Sequence, residues 1–283
     1  MNLGYDELLA RAQTHFEEIA PRICEQYGLD AVRDRNLIRR IDEAQREIAE
    51  CENCMGEPCQ KSVNRYFCPV IRRTDNGNWH IPAALCQYGK RRMIERESRT
   101  ALIPVKFIGK TFSDYEVTPD NERAVKIGRW FAEKKPNKSL YLFGGCGTGK
   151  TFLAAIIAQN FIKDFKQVVF GDVPSLLDEI KRTFNTDGNS ADVLDRYCNC
   201  DLLVLDDLGA GQITEWNVGI LYEIINRRYS LNKSTLMTSN FDLDGLEQCF
   251  GKRDSYSAKR ITSRISEMCT QAFLGTTDRR KAR

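Results

Sequence analysis

The run SLYLFGGCGTGKTFLAAIIAQNFIKDF, residues 139–165, constrains this chain more than any other stretch. An apolar segment of strand length enters four glycines within six residues and passes straight into an apolar run of helix length. A strand of this kind cannot bury itself; it needs parallel neighbours joined by helical crossovers. The following segments supply them. QVVFGDV (167–173) reads as a strand, and PSLLDEIKRTF (174–184) as a helix with proline in its first turn. DLLVLDDLG (201–209) is a strand, EWNVGILYEIINRRYS (215–230) a helix and STLMTSN (234–240) a strand. The expected fold class from about residue 105 to 283 is α/β, a parallel sheet with helices on both faces.

Between the first strand and its helix stands GGCGTGKT, that is Gly144, Gly145, Cys146, Gly147, Thr148, Gly149, Lys150 and Thr151. It satisfies G-x-x-x-x-G-K-[ST] in the strand-to-helix context that gives the pattern meaning. Glycines let backbone N–H groups curl around phosphates without Cβ clashes. Lys150 is expected on the β- and γ-phosphates and Thr151 on Mg2+, with the helix N-terminus adding its positive dipole end. LLVLDDLG then brings Asp206 and Asp207 to a strand end. The first is expected to hold Mg2+ through water and the second to polarise an attacking water. Asn240, ending the next strand, is placed to bond that water or the γ-phosphate, or else simply starts a turn.

Ahead of this region the chain differs. Residues 1–50 read as helical, with Leu37, Ile41, Ala44 and Ile48 on one face. Five of the 11 cysteines fall between Cys51 and Cys86. No apolar run approaches the roughly 18 residues of a membrane span, and the N-terminus lacks the pattern of a signal peptide. The expected location is therefore cytoplasmic, away from membranes, where thiols stay reduced and clustered cysteines read as metal ligands. Cys51 and Cys54 form half of a tetrahedral Zn2+ site. Cys59, Cys68 and Cys86, with His80, compete for the other half, and DNGN (75–78) suits a hairpin turn between the later two cysteines. A segment with so little core takes much of its folding energy from a bound metal. GKRRMIERESRT (89–100) reads as a linker or helical bridge. Residues 252–283 carry nine Lys/Arg against three Asp/Glu, a basic tail suited to phosphates.

The order of phosphate loop, strand-end Asp pair, strand-end Asn and KRITSRISEM (259–268) resembles the AAA+ P-loop ATPases. LDDLGA, TEW, YEIINRRY, TSNF and the arginine-bearing SRI closely resemble the DnaC/DnaI-type replicative helicase loaders and the related IstB-type ATPases, over roughly residues 105–283. The resemblance implies that Arg260 is an arginine finger reaching a neighbouring subunit's ATP, with Arg264 its rival. It implies that Arg280 contacts the γ-phosphate in cis, with Arg279 its rival. AAA+ proteins commonly have Glu where Asp207 stands, which implies slow hydrolysis, although the loaders commonly have Asp. The cysteine segment is similar to that of the DnaI-like loaders, which implies Cys51, Cys54, Cys68 and Cys86 as the ligands, with Cys59 in reserve. Cys68 departs from a family in which His can precede the proline. The implied organisation is a helical zinc-binding domain at 1–90 that grips the hexameric replicative helicase, a linker at 91–104, and an AAA+ domain at 105–283. That domain self-associates and uses ATP and single-stranded DNA as switches. An IstB-type transposition helper is the alternative. A nucleotide kinase, and a zinc protein with a vestigial ATPase, fit the paired acids and the intact Lys150, Thr151 and Asp206 less well.

Overall fold

Phe16, Ala20 and Ile23 recur at four- and three-residue steps, and Ile38 and Ile41 at a three-residue step. Two helices, α1 (Tyr5–Tyr27) and α2 (Arg35–Glu52), bury these side chains against each other. Ile38, not Leu37, sits fully inside. The computed structural model describes residues 5–54, 59, 61, 66–184, 190–211 and 213–279. After α2 come two antiparallel pairs, β1 (Phe67–Pro69) with β4 (Ala83–Leu85) and β2 (Arg72–Arg73) with β3 (Trp79–His80). Thr74 closes the turn between β2 and β3 by accepting from Asn78 N–H at 3.1 Å. The bridging segment is a helix, α3 (Gln87–Thr100). The chain forms two compact units, Met1–Arg92 and Met93–Arg283, and the division falls within α3.

The second unit continues with α4 (Glu122–Lys134), β5 (Ser139–Phe143), α5 (Lys150–Lys163), β6 (Val168–Asp172), α6 (Val173–Phe184) and α7 (Ser190–Asn199). It then runs through β7 (Leu202–Leu208), α8 (Glu215–Ser230), β8 (Ser234–Ser239), α9 (Leu243–Gly251), α10 (Ser255–Met268) and β9 (Cys269–Phe273). The sheet is all parallel in the order β6-β7-β8-β5-β9. Successive side chains serve opposite faces. Leu140, Leu142, Leu202, Val204 and Leu236 meet α4 and α5 on one face. Tyr141, Leu203, Leu205 and Met237 meet α6, α8, α9 and α10 on the other. The architecture is α/β, a five-stranded parallel sheet with helices on both faces.

Several elements lie outside the sequence reading, α4, α7, α9 and β9 among them. Among the described residues β9 pairs only with β5, at the sheet edge, and CTQAF lacks the apolar run that marks a buried strand. α7 packs Tyr197 and Cys198 inward, with Val193 and Leu194 partly buried against the same core. Among the described residues no helix is long and apolar enough to cross a membrane.

Candidate nucleotide-binding site

β8 lies between β5 and β7, so the residues that end β8 stand between the loop after β5 and the acids that end β7. That loop turns through Gly144, Gly147 and Gly149 at φ +149°, +78° and +97°. L-residues avoid this region, and space forbids a side chain as well. A Cβ on Gly147 would lie 1.9 Å from Asp278 Oδ1, and one on Gly149 would lie 2.8 Å from the Tyr115 hydroxyl. α5 starts at Lys150, so its first N–H groups face the loop. The buried Lys150 ammonium donates to Gly144 O at 3.0 Å, Gly145 O at 2.7 Å and Asn240 Oδ1 at 2.8 Å. Thr148 Oγ1 donates to Gly145 O at 3.0 Å, and Cys146 is exposed.

Asp206 is buried and its carboxyl is held by two hydroxyls. Thr238 Oγ1 donates to Oδ1 at 2.6 Å, and Thr151 forms the other hydrogen bond. Burial raises the Asp206 pKa; the Thr238 bond opposes this, and the Asp207 charge adds to it. In register across the sheet stands Asp172, at the end of β6. Asp207 has φ +55°, a rare conformation for a residue with a side chain, and its N–H donates to Thr238 Oγ1 at 2.9 Å. The structure thus brings together residues 144–151, Asp206, Asp207 and Asn240. Thr238 is a site residue that sequence reasoning missed; its signal is the two-residue step to Asn240 on one strand face.

The end of the chain crosses this loop. Gly145 N–H donates to Gly275 O at 2.9 Å, and Arg279 N–H to Gly147 O at 3.2 Å. The Arg279 guanidinium donates to Glu116 O at 2.7 Å and Thr118 Oγ1 at 3.3 Å, with its Cζ 5.5 Å from the Tyr115 ring centre. Arg279 is therefore committed to the segment before α4. Arg280 lies outside the described residues.

Arg260 and Arg264 share one face of α10, whose start is fixed by Asp254 accepting from Tyr256 and Ser257 N–H. Arg260 is exposed, 4.2 Å from the Tyr222 ring centre and 5.2 Å from that of Tyr256. Arg264 is more enclosed. It lies 4.3 Å from the Tyr229 ring centre, donates to Asn226 Oδ1 at 3.3 Å and pairs with Glu267 at 3.6 Å.

In the first unit the Cys68 thiol hydrogen-bonds with Cys51 and feels the charge of Cys86; burial, first of all, pushes it up to about 11. Lys61 joins them, bonding Cys51 and donating to Glu47 Oε2 and Phe67 O at 2.9 Å each. Cys54 follows one turn after Cys51, its N–H on Cys51 O at 3.3 Å. The donor chemistry suits zinc, and Cys68 interacts with both Cys51 and Cys86. Yet among the described residues no group of three or more His, Cys, Asp or Glu could hold a metal ion as it stands. The four-thiol site expected from sequence is not formed by these side-chain positions.

A family model described as IstB-like ATP binding protein matches residues 86–282. The replicative helicase loader DnaC of Buchnera aphidicola subsp. Baizongia pistaciae is 32% identical over 152 residues, 52% of this chain and 62% of that protein. The chain thus spans less than two thirds of that relative's length. The replicative helicase loader DnaI of Bacillus subtilis (strain 168) is 24% identical over 275 residues, 89% of this chain and 86% of that protein. Among solved structures, a crystal structure of DnaI aligns with TM-score 0.55 at 27% identity, covering 64% of this chain and 99% of the other.

Proposed function

The chain belongs to the family of IstB-like ATP binding proteins, and from that premise we propose that it is an ATP-hydrolysing loader of the hexameric replicative DNA helicase. One observation carries this reading. The likeness to DnaI extends over 89% of the chain and so includes residues ahead of position 86, where the family model begins. A transposition helper, the second reading, draws on the family model alone.

In the proposed mechanism the phosphates lie on the backbone N–H groups of residues 144–151, and Lys150 exchanges the loop carbonyls and Asn240 for the β- and γ-phosphates. Thr151 and Asp206 would hold Mg2+, whose positive charge offsets that of the phosphates. Asp207 polarises the attacking water and Asn240 orients it. Arg260, exposed on α10, completes the site of a neighbouring copy, so hydrolysis depends on self-association. Arg279 is committed elsewhere, which favours Arg280 for the γ-phosphate in cis. The first unit grips the helicase, with Cys51, Cys54, Cys68 and Cys86 drawn together around one structural Zn2+. Single-stranded DNA meets the basic tail, and the work is done in the cytoplasm.

The test is the native mass of the full chain mixed with its host's replicative helicase, with and without ATP. A nucleotide-sensitive complex is expected. No complex in either condition, with ATP still hydrolysed, overturns the loader reading in favour of the transposition helper.

A further inference from the structure

Thr238 is wholly buried on β8, and its hydroxyl both donates and accepts. The single proton goes to Asp206 Oδ1 at 2.6 Å, while a lone pair accepts the Asp207 N–H at 2.9 Å. These are the two acids that end β7. The pairing of β7 with β8 is interrupted between Leu205 and Leu208, and Asp207 stands in that interruption with φ +55°. A bulge turns one residue out of the ladder and re-aims its side chain. Here the N–H of the re-aimed residue is secured by a side chain of the neighbouring strand. Two residues on, Asn240 reaches the Lys150 ammonium at 2.8 Å. One strand end therefore touches the loop lysine and both acids.

We propose that Thr238 is a positioning residue for ATP hydrolysis, its one hydroxyl setting the rotation of the Asp206 carboxylate and the left-handed backbone of Asp207 together. With Oδ1 engaged, the Asp206 carboxylate keeps one orientation toward Thr151 and the metal side. With its N–H held, Asp207 keeps its carboxylate directed out of the ladder, where an attacking water is met. The hydroxyl thus couples metal holding to water activation. The inference rests on the ATPase reading above.

The test uses the full chain and three quantities: the affinity for a fluorescent ATP analogue, kcat and KM for ATP, and the Mg2+ concentration at half-maximal rate. Thr238→Val keeps the shape and removes the hydroxyl; Thr238→Ser restores it. Nucleotide affinity in Thr238→Val is expected to stay within about twofold while kcat falls about 10- to 100-fold, the scale of a small misplacement of reacting groups. Its Mg2+ requirement rises, a change that loss of folded protein alone does not produce. Thr238→Ser is expected to recover both. Should Thr238→Val melt below the assay temperature, Thr238→Ala gives the same readouts. A valine or alanine variant with wild-type kcat and Mg2+ dependence overturns the inference and leaves the ATPase reading standing. A serine variant as slow as the valine variant also overturns it. A wild-type chain that does not hydrolyse ATP removes the ATPase reading and this inference with it.

Discussion

Asp206 is buried at the end of β7, and burial raises its pKa above the ordinary carboxylate value. Ionisation therefore costs the folded state more than the unfolded chain. The penalty is present above the raised folded pKa and vanishes below the unfolded value, so without metal this residue makes the fold more stable as pH falls. Asp206→Asn is expected to melt at or above the wild-type temperature at neutral pH, to lose that advantage in acid, and to lose Mg-dependent ATP binding. Thermal melts at two pH values, with and without Mg-ATP, check this. Arg228 presents the opposite case. Its fully buried guanidinium donates to Tyr197 O at 2.7 Å, Cys198 O and Cys200 O at 3.1 Å, Ser234 O at 2.5 Å and Thr235 Oγ1 at 2.9 Å. It ties carbonyls at the end of α7 and just before β7 to the start of β8. Arg228→Ala removes these bonds from buried acceptors, a loss on the order of 3 kcal/mol. The planar fork is needed, so Arg228→Lys recovers little of it. Denaturant midpoints of both variants measure the effect.

In the proposed self-association α10 is the element whose placement matters most. Its tyrosine-stacked arginines are held against α8 and need no phosphate to stay in order. Among the described residues Arg264 has three partners and Arg260 only aromatic faces, which in the proposed assembly leaves the Arg260 guanidinium its hydrogen-bonding edges for a neighbouring copy. Arg260→Ala is therefore expected to bind ATP with affinity within about twofold of wild type and to hydrolyse it at least about 100-fold more slowly. Single-turnover hydrolysis over a range of protein concentrations checks this. A full rate in the Arg260→Ala chain, with a slow one in Arg264→Ala, would assign the role to Arg264.

The two units divide the labour in the proposed function. Small cores need a staple, and in the Met1–Arg92 unit the thiols around Cys68 are where one would act. About one zinc per chain is expected by elemental analysis. Cys86→Ser is expected to lose it and to lose capture of the helicase, while ATP affinity, a property of the Met93–Arg283 unit, stays within about twofold. A metal-free protein that still captures helicase would remove zinc from the account. Native mass and nucleotide titration on the same preparation separate the two effects.

Legibility in the sequence followed the range of the interactions. The strand, glycine turn and helix around residues 144–151 are local: alternation, glycine conformation and helix periodicity are set by neighbours in the chain, so the α/β parallel sheet could be read before any coordinates. The paired acids after an apolar strand, and the Asn after the next, were legible for the same reason. β9 was not, because an edge strand with one partner needs no apolar run. Nor was Thr238, whose bonds to Asp206 and Asp207 join residues 32 and 31 apart. They exist because β8 lies beside β7 and because the pairing slips between Leu205 and Leu208. Arg228 likewise reads as one more helix-end cation, yet it is buried across 31 residues to Tyr197. Strand order and a one-residue slip in register come from packing the whole sheet between its two helical layers. Only that packing decides which polar side chain meets which.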